Sequence, residues 1–237
     1  MANPALNEKI FRRVDSVIVD SDKMSINGTI NKTGFLLLFM VLGAMFGWNS
    51  NSGVLIFGSV IVSLILCFAI MFGPQRAAYL SQIYAVTEGV LLGSISSMYA
   101  AQYPGIVSNA LMLTMSCLFV TLALYRFKIV RVNDRFRTVL TVAMGAIFLT
   151  YLVSMIMGFF GSALPMIHQS SPLGIGFSLV VVVVAASNLF LDFDLVEQAS
   201  QRGSPKYMEW YCGFALIITL VWLYMEILRL LGKLNKR

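Results

Sequence analysis

Residues 176–186 read GFSLVVVVVAA, an apolar run that a water-exposed surface does not tolerate. It belongs to one of seven apolar blocks, with approximate bounds 34–49, 53–73, 77–99, 105–125, 138–160, 172–192 and 211–231. Blocks of about 20 residues match the length an α-helix needs to cross a hydrocarbon core about 30 Å thick. The links NSNSG, GPQR and AAQYPG are short, so the helices they join must run antiparallel. The expected fold is an all-α membrane protein, a seven-transmembrane-helix bundle spanning residues 34–237 behind a polar N-terminal segment, residues 1–33. That segment has no apolar stretch behind a basic one, so no cleavable signal is expected and the first block acts as the anchor.

Orientation follows from Lys and Arg alone. Lys9, Arg12, Arg13, Lys23 and Lys32 precede or enter the first block, and Arg76 follows the second. Arg126, Lys128, Arg131, Arg135 and Arg137 follow the fourth, and Arg202 and Lys206 follow the sixth. Seven spans put all of these on one side, and the loops on the other side carry none. The N-terminus is therefore expected in the cytoplasm. Arg229, Lys233, Lys236 and Arg237 run against this rule, because an odd number of spans exports them. The net charge of +6 needs no nucleic acid, since cytoplasmic loops facing anionic lipid are basic for that reason alone.

Only 12% of the residues are charged, about half the share of a soluble domain, so each acid inside a block stands out. Glu88 falls at the middle of the third block, where an ionised carboxylate costs about 3 kcal/mol or more. Such a group faces a polar cavity, pairs with a cation or keeps its proton. The sixth block ends in SNLFLDFDLVEQ, with Asp192, Asp194 and Glu197 within six residues. Asp194 and Glu197 share a helical face, and Asp192 points nearly opposite to Asp194. Acids at a helix C-terminus oppose the macrodipole, which favours a cation-handling role there. Glu209 enters the seventh block at the depth of Asp194, behind Ser204 and Pro205, a plausible helix start. Glu226 lies about 25 Å further on at 1.5 Å per residue, with Arg229 at i+3 as its simplest partner.

Other patterns carry less. Cys67, Cys117 and Cys212 sit in apolar blocks with no metal or redox spacing, and His168 is the one histidine. Gly43-x-x-x-Gly47 and Gly89-x-x-x-Gly93 permit close helix packing or dimerisation, and the oligomeric state stays open. The fourteen methionines are scattered. No nucleophile–base pairing, HExxH or phosphate loop is present, so no enzyme and no bound cofactor are expected.

NPALNEKIF, INGTINKTGFLLL, YAVTEGVLLGSIS and NLFLDFDLVEQ…GSPKYMEWYCGFALIITLVWLYMEILRLLGKL together resemble the Bax inhibitor-1 (transmembrane Bax-inhibitor-motif) family, in its bacterial long-N-terminus branch. The resemblance implies seven helices with a central last one, and a pH-sensitive Ca²⁺ leak gated by one aspartate in helix 6 and one in helix 7. Asp194 matches the first, whereas Thr219 stands where the second belongs. Glu209, and then Glu226, are the substitute partners, which makes Asp194 and Glu209 the expected Ca²⁺-handling pair. Glu88, Asp192 and Glu197 complete the candidate ion pathway. The resemblance also implies an alternative role, a regulator that binds a membrane-anchored protease through NEKIFRRVDSVIVDSDKMS. The expected partners are thus the bilayer, Ca²⁺ and H⁺, and in the alternative a protease.

Overall fold

The computed structural model describes residues 23–50, 52–160 and 170–236. His168, the basic residues Lys9, Arg12 and Arg13, and nearly all of the segment expected to bind a protease lie outside them. Seven α-helices form among the described residues: α1 Ile26–Asn49, α2 Gly53–Phe72, α3 Ala77–Gln102, α4 Ile106–Arg126, α5 Asp134–Phe159, α6 Pro172–Gln201 and α7 Met208–Asn235, with a 3₁₀ turn Pro74–Arg76 before α3. All but α3 are long and apolar enough to cross a membrane.

Polar caps set the helix ends, and these differ from the ends of the apolar blocks. α1 starts at Ile26 rather than at residue 34, because the Ser25 hydroxyl accepts the Gly28 N–H at 2.9 Å. α5 starts at Asp134, where the Asn133 side chain accepts the Phe136 N–H at 2.8 Å. α6 opens on Pro172, with the Ser171 hydroxyl accepting the Gly174 N–H at 3.1 Å, and runs on to Gln201 rather than stopping near residue 192. Asp192 and Asp194 are therefore interior to a helix, and the macrodipole argument from a helix end does not apply to them. Ser204 and Pro205 do not start α7 either. Gly203 adopts φ +70, a conformation suited to glycine after a helix end, and turns the chain so that Pro205 forms an antiparallel bridge with Lys23.

By packing, the described residues fall into two compact units, 23–102 with 192–218 and 103–191 with 219–236. In the first, α1 and α3 interlock through their glycines. A Cβ on Gly43 or Gly47 would overlap the carbonyl of Val86 or Val90, and one on Gly89 or Gly93 the carbonyl of Met40 or Ala44. Small-residue stripes let helix backbones meet in this way where lipid offers no hydrophobic drive to association. The Ser94 hydroxyl adds hydrogen bonds to the Val90 carbonyl at 2.9 Å and, across the pair, to the Gly47 carbonyl at 3.1 Å. The outward face of α1 is apolar and exposed (Leu38, Val41, Leu42, Met45), as a lipid-facing stripe must be.

α3 explains why one helix lacks the apolarity of the others. Its buried face carries Ser81, Tyr84, Glu88, Ser94, Ser96 and Ser97 beside its glycines. A helix shielded by protein need not be greasy, because neighbouring side chains and backbone satisfy its polar groups.

In the second unit Leu140 and Leu191 pack with Val132, Phe136, Met144 and Val184, and Phe136 meets Phe190 edge-on at 6.2 Å. Lys233, nearly buried, donates to the Gly174 carbonyl at 2.9 Å and the Ser178 hydroxyl at 2.8 Å. That ties the end of α7 to the first turns of α6.

Candidate functional site

The first unit concentrates the buried acids. Glu88 on α3, Asp192 on α6 and Glu209 on α7 are 9%, 0% and 3% exposed. Each has polar company delivered by helical periodicity, since residues three or four apart share a face. Ser63 and Cys67 on α2 and Tyr84 on α3 lie around Glu88, with the Ser63 hydroxyl beside its carboxylate. Tyr211 is within electrostatic range of both Cys67 and Cys212. Cys212 in turn is within range of Asp192 and Glu209. The unit thus holds Glu209 at the start of α1, Asp192 on α6 and Glu88 at the middle of α3 among further polar side chains, of which Cys67 is half-buried. The hydroxyl of Tyr211 is buried and hydrogen-bonds no described residue. Buried polar groups cost about 1–3 kcal/mol when left so, and a set of them inside a membrane protein is suited to water or an ion.

Glu209 has a specific seat. A capping box places Glu or Gln at the third helical position, reaching back to the N-cap backbone N–H. In Ser25-Ile26-Asn27-Gly28 that position is glycine, and Glu209 from α7 supplies the carboxylate instead. It accepts the Ser25 N–H at 2.9 Å and the Ser25 hydroxyl at 3.1 Å. Any Cβ on Gly28 would fall on the Glu209 carboxylate, so glycine is required for this approach. The positive end of the helix favours the anion further. Alongside, Lys32 sits over the Trp210 ring at 4.9 Å, and Phe35 meets the same ring edge-on at 6.1 Å.

Asp194 and Glu197 are only half-buried. Asp194 accepts from the Gln198 side chain at 2.8 Å and Glu197 from Gln201 at 3.3 Å, both one turn along α6. The described contacts thus seat Glu209 on Ser25 and Asp194 on Gln198, rather than with each other. Among the described residues no three of His, Cys, Asp and Glu converge on a metal-sized site.

The remaining candidates belong to the second unit. Glu226, 2% exposed, pairs with Arg229 at 3.0 Å, as the i,i+3 spacing predicts. The Tyr151 hydroxyl donates to Glu226 at 2.9 Å and accepts from Arg229 at 2.7 Å, and the guanidinium lies 5.1 Å from the Tyr151 ring. Thr219 is buried and accepts from the Asn188 amide at 3.1 Å. Where the resemblance expects an acid, the chain has a neutral buried hydrogen bond.

Sequence reading missed Ser25, Gly28, Ser63, Cys67, Tyr84, Tyr211 and Cys212. The usable signal was polar residues spaced three or four apart inside apolar blocks: Ser63 with Cys67, Tyr84 with Glu88, and Glu209 with Cys212. No curated protein sequence matches the chain significantly. Its residues 3–236 match the family described as Bax inhibitor 1 like. With six apolar helices able to cross a bilayer, the chain is a multi-pass integral membrane protein that belongs to the Bax inhibitor-1-like family.

Proposed function

We propose that this protein is a pH-sensitive cation leak channel or exchanger, with Ca²⁺ as the permeant ion, gated by carboxylates embedded in the membrane. The observation that carries the reading is that one compact unit holds three buried acids, Glu88, Asp192 and Glu209, together with the buried Tyr84, Tyr211 and Cys212 and the half-buried Cys67. A purely structural protein gains nothing from such a set in a low-dielectric interior. Ca²⁺ prefers oxygen ligands, and carboxylates, hydroxyls and phenols offer them. Protonation removes the charges that attract the cation. Deprotonation restores them and sets like charges against one another. The family's association with Ca²⁺ leak points the same way.

Ca²⁺ uptake into dye-loaded proteoliposomes at pH 6, 7 and 8 tests this. The expected result is a pH-dependent flux that Glu88→Gln lowers about tenfold, the effect of a barrier change of about 1.4 kcal/mol. Flux that ignores pH removes the gating mechanism. Flux no greater than in empty liposomes removes the channel and turns attention to the protease-regulator role.

The same reading takes all seven helices as membrane-crossing, with the N-terminus in the cytoplasm of a bacterial cell. α3 packs through Gly89 and Gly93 onto the middle of α1, at Met40 and Ala44, and its 26 residues extend roughly 39 Å at 1.5 Å per residue. A membrane-impermeant maleimide applied to intact spheroplasts is expected to label Lys236→Cys, and to label Lys128→Cys only after lysis. Protection of both positions would mean an even number of crossings.

A further inference from the structure

The seat of Glu209 has a second side. Residues 23–25 are tied to the α6–α7 connection and the first turn of α7 at three places. Lys23 bridges Pro205, the Met24 N–H donates to the Ser204 carbonyl at 2.7 Å, and Ser25 holds Glu209 through both its N–H and its hydroxyl. The Met24 side chain is buried and Ser204 is fully buried, so this short strap is packed as well as hydrogen-bonded. Ser25 works in two directions, accepting the Gly28 N–H at 2.9 Å while donating to Glu209. Any movement that draws residues 23–25 away from α7 must break both Glu209 bonds, because Ser25 makes them through its N–H and its hydroxyl.

We propose that Ser25 is a positioning residue for the Glu209 carboxylate, and that the strap of residues 23–25 is a latch whose release frees that carboxylate to enter the polar interior of its unit. The inference deepens the channel reading and rests on it for the consequence in flux; the latch itself is a property of the protein's own contacts. It makes the residues just before α1 the handle by which an event on the N-terminal side reaches the buried acids. Glu209 is otherwise held where Ser25 seats it.

Hydrogen–deuterium exchange on the full chain in lipid nanodiscs reads the latch without reference to transport. In Glu209→Ala, which leaves no acceptor, the amides of Ser25 and Gly28 are expected to exchange at least about tenfold faster than in the wild type, the effect of losing about 1.4 kcal/mol of local protection. Ser25→Ala, which keeps the Ser25 N–H but takes the acceptor from the Gly28 N–H, should do the same at Gly28, and Ser25→Thr, which keeps a hydroxyl, should restore protection. The rescue separates positioning from general loss of structure. A Lys23→Cys/Pro205→Cys protein supplies the converse, because opposed residues of an antiparallel bridge lie within disulfide reach. Its oxidised form is expected to pass Ca²⁺ at least about fivefold more slowly than its reduced form. Unchanged exchange in both Glu209→Ala and Ser25→Ala, or a measurable flux that is indifferent to oxidation, overturns the latch. Accelerated exchange with rescue, in a protein that passes no Ca²⁺, upholds the latch and overturns the channel reading instead.

Discussion

Gly89→Leu is expected to separate α1 from α3 and to lower the thermal midpoint in detergent by roughly 10 °C, the shift that about 3 kcal/mol produces in a chain of this size. The magnitude follows from what the new side chain meets. A Cβ at Gly89 overlaps the backbone carbonyl of Met40, and a carbonyl in a helix cannot rotate aside as a flexible side chain can. The helices must move apart, and the neighbouring contacts at Gly43, Gly47 and Gly93 loosen with them. Overpacking of a close-packed interior costs about 1–3 kcal/mol at one site, and the upper end applies where backbone meets backbone. Gly145→Leu is the control, since nothing lies within 4 Å of a Cβ there; it should leave the midpoint within about 2 °C of the wild type. Adding Gly43→Leu to Gly89→Leu should cost less than the sum of the two, because one separation relieves both clashes. Fluorescence-detected size exclusion after heating measures the wild type, the three single variants and the double variant, and equal loss in the Gly89 and Gly145 variants would refute the interlock.

The glycine pair also shows how far the sequence could be read. Gly43-x-x-x-Gly47 and Gly89-x-x-x-Gly93 were visible as patterns, but a four-residue spacing does not say which helix it meets. Helices were legible because apolarity is written along the chain in blocks. Their ends were not, because Ser25, Asn133 and Ser171 set them by single hydrogen bonds outside the apolar stretches. Contacts local in sequence could be read directly, as with Glu226 and Arg229. Glu209 and Ser25, 184 residues apart, could not, since nothing in either segment names the other. α3 was legible as a helix, but its buried Ser-rich face gives it too little apolarity to count as a span by composition. Glu88 stood out as a lone charge in an apolar block, while nothing set Tyr84, Tyr211 or Cys212 apart from their blocks until the fold placed them near the acids.

The two aspartates of α6 provide the sharpest test of the site. They are two residues apart, so their side chains leave the helix about 200° apart. On one face Asp192, Leu195, Val196 and Ala199 are all buried; on the other Asp194, Glu197 and Gln198 are half-exposed. Asp194, the residue that matches the family's helix 6 aspartate, accepts a hydrogen bond from Gln198 one turn away, an arrangement that asparagine reproduces with its own carbonyl. Asp192 is the one within range of Cys212 and the interior acids' surroundings, where a neutral amide cannot supply charge to a passing cation. Asp192→Asn is therefore expected to lower Ca²⁺ flux into proteoliposomes about tenfold, corresponding to about 1.4 kcal/mol, and to flatten its pH dependence. Asp194→Asn should stay within about twofold, as substitutions at half-exposed, locally bonded positions usually do. Normalising each flux to the amount of protein inserted in the bilayer removes any difference in folding. The reverse ranking would return the gate to Asp194 and leave Asp192 as a buried structural acid.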